Sequence, residues 1–102
     1  MRISVAPVQE FPDGSARSVR VSEDLQVAVF RVKGRFYALE DRCSHQEAPL
    51  SEGEIVDDCC VKCPWHGAKF DLATGRALTL PAVAPVRTFP VIVENGQVFV
   101  EV

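Results

Sequence analysis

The sequence predicts an all-β protein from three observations. Short apolar runs rich in Val, Ile and Phe recur, and turn dipeptides such as Lys33-Gly34 and Asn95-Gly96 separate them. No segment sustains the 3.6-residue period of an amphipathic helix over several turns. Seven prolines and six glycines fit short strands joined by defined turns. A chain of 102 residues, 47% of them hydrophobic, is predicted to form a single domain, residues 1–102.

The individual strands follow from these runs. Residues 26–32 and 35–40 flank Lys33-Gly34 and are predicted to form one hairpin. Residues 91–94 and 97–102 flank Asn95-Gly96 and are predicted to form a second hairpin. Residues 3–5 and 18–21 are shorter strand candidates.

The middle of the chain has a different composition. Residues 41–77 contain all four cysteines, both histidines and the only tryptophan. We predict a small subdomain at about 41–77, inserted between strands of a β base formed by about 1–40 and 78–102. The proline-containing residues 80–85 are expected to be a stiff connection back to that base.

Charge and hydropathy exclude several classes of function. The net charge of −3 argues against a nucleic-acid surface. No apolar run approaches the length of a membrane span, and the N-terminal residues lack the apolar run of a secretory leader. We therefore expect a soluble, cytoplasmic protein. The segment 40–71 contains eight carboxylates, which form either a solvated surface or a docking face for a basic partner.

Two short segments contain the most specific chemistry. Cys43-Ser44-His45 and Cys63-Pro64-Trp65-His66 are separated by seventeen residues, and two thiolates plus two imidazoles make a four-ligand metal site. A structural zinc ion would accept this donor set. Zinc modules, however, usually pair cysteine with cysteine and histidine with histidine, whereas each segment here mixes the two. Spacing alone leaves open one zinc ion or a two-metal centre.

The chain resembles the Rieske iron–sulfur family at these segments. They match the family's Cys-x-His and Cys-Pro-x-His-Gly motifs, and the similarity continues through residues 48–53, 69–75 and the strand-rich flanks. The resemblance implies an antiparallel β sandwich or barrel base with an inserted cluster-binding subdomain. It also implies one [2Fe–2S] cluster, with Cys43 and Cys63 on one iron and His45 and His66 on the other.

The resemblance further implies a one-electron centre of raised potential. Two thiolates leave the oxidised cluster neutral, whereas four thiolates would leave it at −2, so reduction is easier than in a four-cysteine ferredoxin. High-potential respiratory members have an extra cysteine in each segment and hydroxyl residues after the second. Ala48, Trp65, Ala68 and Phe70 stand at the matching positions here. We therefore predict a potential near the bottom of the family range of roughly −150 to +300 mV.

What the resemblance implies for function is an electron carrier and not an enzyme. Stand-alone members of this kind take electrons from a flavin-dependent NAD(P)H reductase and deliver them to the terminal oxygenase of an aromatic-ring dioxygenase. The alternative within the family is the small subunit of an NADH-dependent nitrite reductase, and the alternative outside it is a structural zinc module. We expect a monomer, without a nucleic-acid or membrane partner.

Several other residues have predicted structural roles. Cys59 and Cys60 follow Val56-Asp57-Asp58 in a predicted strand and are expected to be reduced core thiols, at least one of them buried. A disulfide between them is not expected in a reducing cytoplasm. Trp65 either shields the cluster or contacts a partner. Gly67 is expected to adopt a conformation that favours glycine, and Asp71 is expected to cap a turn.

Overall fold

The computed structural model describes residues 1–42, 48–65, 67–80 and 84–102. Within them the chain forms three antiparallel sheets, with strand orders β1-β10-β9, β2-β3-β4-β8 and β5-β6-β7. Two 3₁₀ turns, Val8–Glu10 and Leu50–Glu52, are the helical segments of these residues, and neither is long and apolar enough to cross a membrane. The strands are β1 Arg2–Pro7, β2 Ala16–Arg20, β3 Gln26–Val32, β4 Arg35–Glu40, β5 Glu54–Val56, β6 Cys60–Lys62, β7 Lys69–Asp71, β8 Thr88–Phe89, β9 Val91–Glu94 and β10 Gln97–Glu101.

Both predicted hairpins are confirmed. Lys33 and Gly34 have φ of 50° and 79°, and Asn95 and Gly96 have φ of 52° and 75°. Two successive residues with positive φ form the turn whose twist matches that of paired strands. The registers Val32↔Arg35 and Glu94↔Gln97 place each turn directly between its strands. The all-β fold class is therefore confirmed, and its hairpins follow from local turn chemistry.

Strand β3 is buried on both faces, which places it at the centre of the molecule. Alternate side chains of a strand point to opposite faces, so its continuous apolar run supplies two cores. The base core packs the second sheet against the first. The site-side core packs the other face of the second sheet against the third sheet and its flanking segments. The base core comprises Phe11, Val27, Val29, Ala38, Phe89, Val98 and Val100. The site-side core comprises Ala28, Phe30, Val32, Leu39, Ala48, Leu50, Val61, Cys63, Ala68, Phe70, Leu72 and Val86.

The third sheet corrects one prediction. The strand expected through Val56-Asp57-Asp58 and the two cysteines is interrupted by a turn, in which Asp57 and Asp58 have φ of 54° and 55°. Strand β5 ends at Val56 and β6 begins at Cys60, so the two strands pair with each other instead of forming one. The residue types between Val56 and Cys60 did not indicate that the two aspartates adopt the left-handed backbone conformation, which ends one strand and begins the next.

The two adjacent cysteines also differ from expectation. We expected reduced thiols, and this was wrong: the structure joins Cys59 and Cys60 in a disulfide. The turn at Asp57-Asp58 leaves Cys59 outside strand β6, so strand alternation no longer separates the two side chains. The expectation that at least one would be buried is confirmed, since Cys60 is buried and Cys59 is exposed.

The remaining strands are close to their predicted positions. Residues 3–5 extend to β1, and residues 18–21 shift to β2. Strand β8 pairs with β4 through Ala38↔Phe89 and Leu39↔Thr88 and was not predicted. The predicted stiff connection at residues 80–85 lies partly outside the described residues, because 81–83 are not described.

Candidate metal centre

Of the four predicted ligands, the structure describes Cys63. Its thiol is free and 2% exposed, and it belongs to the site-side core. Cys43, His45 and His66 lie outside the described residues. Within the described residues there is no group of three or more potential metal ligands, and this does not test the predicted set. One predicted sulfur donor is therefore buried directly after the last residue of β6, in the third sheet.

The second ligand segment, residues 63–68, is closed by backbone hydrogen bonds. Strands β6 and β7 pair as far as Lys62↔Lys69. The ladder then continues, because the Cys63 amide donates to the Ala68 carbonyl at 2.7 Å. The Gly67 amide donates to the Cys63 carbonyl at 3.1 Å. The segment is thus the tip of a hairpin whose closing hydrogen bonds are made by backbone atoms.

Gly67 adopts the backbone conformation expected from the sequence. Its φ of +73° lies in the region that favours glycine. A Cβ at this position would also lie 3.1 Å from Cε of Lys62. Asp71, at the far end of β7, caps a turn as predicted, since its Oδ1 accepts from the amides of Ala73 and Thr74 at 2.8 and 3.2 Å.

The first ligand segment, residues 42–50, is bounded by a side-chain contact that the sequence did not suggest. Asp41 immediately precedes the segment and Ser51 immediately follows it. Asp41 Oδ1 accepts from the Ser51 amide at 2.7 Å, and Oδ2 accepts from the Ser51 hydroxyl at 2.8 Å. Oδ2 also accepts from the hydroxyl of Ser18 in β2 at 2.5 Å. The two residues are ten positions apart, so no local sequence pattern could have predicted this contact.

The side chains near the buried thiol are apolar. Ala48, Ala68 and Phe70 are fully buried, share the site-side core with Cys63 and have no hydroxyl group. They cannot donate side-chain hydrogen bonds to a sulfur atom. This composition supports the predicted low potential, which stays a prediction.

Trp65 lies on the surface of the second ligand segment. It is 63% exposed, an unusual position for the largest apolar side chain. Leu80 is 77% exposed and Leu78 is 45% exposed. The backbone at Leu78 and Thr79 lies alongside the start of β7. The Leu78 amide donates to the Lys69 carbonyl at 2.8 Å, and Thr79 Oγ1 accepts from the Lys69 amide at 2.9 Å. Single exposed apolar side chains are common on protein surfaces, whereas a continuous apolar surface is typical of a contact site for another protein.

The carboxylates of segment 40–71 are largely occupied within the chain. Glu40 accepts from the Arg87 amide at 3.0 Å, while Asp41 and Asp71 accept from the amides described above. Asp57 lies 3.9 Å from Nζ of Lys69, and Asp58 lies 2.9 Å from Nζ of Lys33. The hydrogen bond and charge of Asp58 raise the pKa of Lys33 above 10.5. Five of the seven carboxylates described in this segment therefore have partners within the chain, but Asp57 and Asp58 are 77% and 60% exposed, which leaves both accessible to a basic partner.

The residues present fit an iron–sulfur cluster. Thiolates are the ligands that such clusters require, and the family pattern adds two imidazoles on one iron. Cys63 supplies a buried sulfur in apolar surroundings that keep water away. The first and second ligand segments both join the site-side core, through Ala48 and Leu50 in one and Cys63 and Ala68 in the other. The arrangement can hold a redox group between two segments supported by one core.

Comparison with known proteins agrees with this chemistry. A sequence profile described as Rieske [2Fe-2S] domain matches residues 1–90. The chain is 48% identical over 100 residues to the 3-phenylpropionate/cinnamic acid dioxygenase ferredoxin subunit of Escherichia coli K12, covering 98% of this chain and 92% of the relative.

Solved structures give the same result. A chain in the complex of reduced oxygenase and oxidized ferredoxin in carbazole 1,9a-dioxygenase matches with a TM-score of 0.92 and 36% identity, covering 97% of this chain and 91% of that chain. The ferredoxin of carbazole 1,9a-dioxygenase from Nocardioides aromaticivorans IC177 matches with a TM-score of 0.90 and 32% identity, covering 98% and 96%. A putative NADH-dependent nitrite reductase small subunit from Mycobacterium tuberculosis reaches a TM-score of 0.88 at 23% identity, covering 98% and 93%, and this likeness shows the fold alone.

Proposed function

Because the chain belongs to the family of Rieske [2Fe–2S] domains, we propose that it is the ferredoxin component of an aromatic-ring dioxygenase system. It takes electrons from a flavin-dependent NAD(P)H reductase and delivers them to a terminal oxygenase. The observation that carries this proposal is the near-full-length similarity to a dioxygenase ferredoxin subunit. The chain is an electron-transfer component and not itself a catalyst.

We assign the ligands as follows. Cys43 and Cys63 bind one iron, and His45 and His66 bind the other. When bound, the [2Fe–2S] cluster supplies one-electron redox chemistry. The buried, free thiol of Cys63 supports this assignment, as does the disulfide between Cys59 and Cys60, which are not in the ligand set. The chain's own contribution is to exclude water with Ala48, Ala68 and Phe70 and to hold the two ligand segments on one core.

The partner contact is assigned to the exposed apolar surface of Trp65, Leu78 and Leu80. Electron transfer needs close approach, and Trp65 is two residues from Cys63 and next to His66 in the chain. Its exposure favours partner contact over shielding of the cluster. The subdomain at about 41–77 contains Trp65 and all four ligands, and the base at about 1–40 and 78–102, which supports it, contains Leu78 and Leu80. We place the protein in the cytoplasm, because the NAD(P)H that supplies the electrons is found there, and we propose that it is a monomer.

The cofactor is tested on the purified protein. We expect a red-brown protein with two irons and two labile sulfides per chain and a rhombic EPR signal on reduction. Cys63→Ser should abolish the signal, whereas Cys59→Ser, a matched control on the exposed cysteine, should keep it. A colourless protein with one zinc ion would contradict the proposal and favour the structural zinc module.

The partner is tested by reconstitution. The protein is combined with a flavin reductase, NADH and the oxygenase of a 3-phenylpropionate dioxygenase, and product formation is measured. We expect turnover that depends on this protein, with Trp65→Ala raising the protein concentration needed for half-maximal rate and leaving the EPR signal unchanged. Stimulation of a nitrite reductase large subunit instead would identify the alternative function. Light scattering of the same preparation tests the monomer, and cell fractionation tests the cytoplasmic location.

A further inference from the structure

The stem of the first ligand segment is joined by a single acidic side chain. We propose that Asp41 is a positioning residue, which fixes the separation between the two ends of residues 42–50 and thereby slows release of the cluster. The inference rests on the proposed function, because it takes Cys43 and His45, inside this segment, as ligands. The contact itself involves described residues alone.

Both carboxylate oxygens of Asp41 are used. Oδ1 accepts from the Ser51 amide at 2.7 Å, and Oδ2 accepts from the Ser51 hydroxyl at 2.8 Å. Hydrogen bonds to an ionised carboxylate are roughly twice as strong as neutral ones, and two donors from one residue also fix its direction. Ser51 is therefore held in one orientation relative to the start of the segment.

Asp41 is itself held on the second sheet. Its amide donates at 2.8 Å to the carbonyl of Gln26, the first residue of β3. Its Oδ2 also accepts from Ser18 in β2 at 2.5 Å. The carboxylate therefore links Ser51 to β2, and the backbone of the same residue is bonded to β3.

Packing alone leaves this stem less defined. Ala48 and Leu50 are fully buried, so the end of the segment is anchored in the site-side core. Apolar contacts are non-directional, however, so they hold these residues in the core without fixing the orientation of the backbone that follows. Holding two points of a chain together costs entropy, and directional bonds between Asp41 and Ser51 offset that cost. Ser51→Ala should therefore leave the fold intact and affect the ligand segment.

The experiment measures the rate at which the holoprotein releases iron to a chelator, followed by visible absorbance. Asp41→Ala should accelerate release by at least about tenfold, because it removes two charge-assisted hydrogen bonds across the stem. Asp41→Asn, which still accepts from the Ser51 amide, should show a smaller increase, and Ser51→Ala should resemble it. Ser18→Ala is the matched control, because it removes a bond to the same oxygen without crossing the stem.

Two further measurements separate positioning from general stability. The double variant Asp41→Ala/Ser51→Ala should release iron no faster than Asp41→Ala alone, since both changes break the same contact. The unfolding midpoint of Ser51→Ala should stay close to that of Ser18→Ala. Iron release that simply follows the unfolding midpoint in all variants would overturn the inference, as would wild-type release in Asp41→Asn and Ser51→Ala. Absence of a cluster in the wild-type protein would instead overturn the proposed function.

Discussion

The two ligand segments are closed in different ways. The second, residues 63–68, is the tip of the β6–β7 hairpin, closed by backbone bonds between Cys63, Gly67 and Ala68. The first, residues 42–50, is closed by the side chain of Asp41 on Ser51. Backbone closure tolerates most side chains, whereas side-chain closure depends on two particular residues. Substitutions at the first stem should therefore affect the cofactor more than comparable substitutions at the second.

The largest expected effect is at Gly53, where the two segments meet. A Cβ here would lie 2.2 Å from the carbonyl oxygen of Lys62, the residue before the second segment. It would also lie 3.1 Å from the carbonyl oxygen of Leu50, the last residue of the first segment. Gly53→Ala should push the stems apart, lower the free energy of unfolding by about 3 kcal/mol and reduce iron content. Denaturant unfolding and iron analysis measure both.

A control separates this clash from backbone strain. Gly14 has φ of +82° and open space around its missing Cβ. Gly14→Ala should therefore lose only about 1 kcal/mol of stability and keep its iron. Equal iron loss in both variants would show that the contact between the segments is unimportant.

The second prediction concerns the potential and the side chains of the second segment. Ala68→Ser and Phe70→Tyr place hydroxyls where high-potential relatives have them, and hydrogen bonds to sulfur stabilise the reduced cluster. Both variants should raise the midpoint potential, from a wild-type value near the bottom of the family range. Phe89→Tyr, in the base core, should leave it unchanged. A wild-type midpoint well above zero would contradict the low-potential prediction directly.

The third prediction compares the stems most closely. Thr79 Oγ1 accepts from the Lys69 amide at 2.9 Å, a side-chain bond at the foot of the second segment. Thr79→Val removes that acceptor and leaves the backbone bond between Cys63 and Ala68 in place. Iron release should stay within about twofold of wild type, because the exposed amide can bond to water instead. Release as fast as in Ser51→Ala would end the distinction between the stems.

The smallest effect is expected at the disulfide. Cys59→Ser combined with Cys60→Ala should keep the cluster absorbance, because these cysteines bond to each other and Cys63 remains. The link joins neighbouring residues, so it closes almost no loop and removes little chain entropy. Alkylation of free thiols at the moment of cell lysis, followed by mass spectrometry, determines whether the pair is oxidised in the cell. Loss of colour in the double variant would refute the ligand assignment.

Much of the fold could be predicted because its signals are local. The turns Lys33-Gly34 and Asn95-Gly96 and the apolar runs beside them specified two hairpins, whereas the burial of β3 on both faces was shown by the structure. Strands β5 to β8 were missed or misplaced. They are two or three residues long, too short for an alternating pattern, and they exist because neighbouring strands pair with them.

The candidate site divides along the same line. The Cys/His motifs identified the cofactor through their resemblance to the Rieske family, because donor type and spacing alone also fit a zinc ion. The contact of Asp41 with Ser51 and Ser18 joins residues 10 and 23 positions apart, and the burial of Cys63 beside Ala48 and Phe70 depends on how sheets pack. The sequence by itself determined the fold class, the hairpins and the cofactor. Only the tertiary structure decided how each ligand segment is held, because hydrogen-bond partners distant in the chain are selected by packing and not by local pattern.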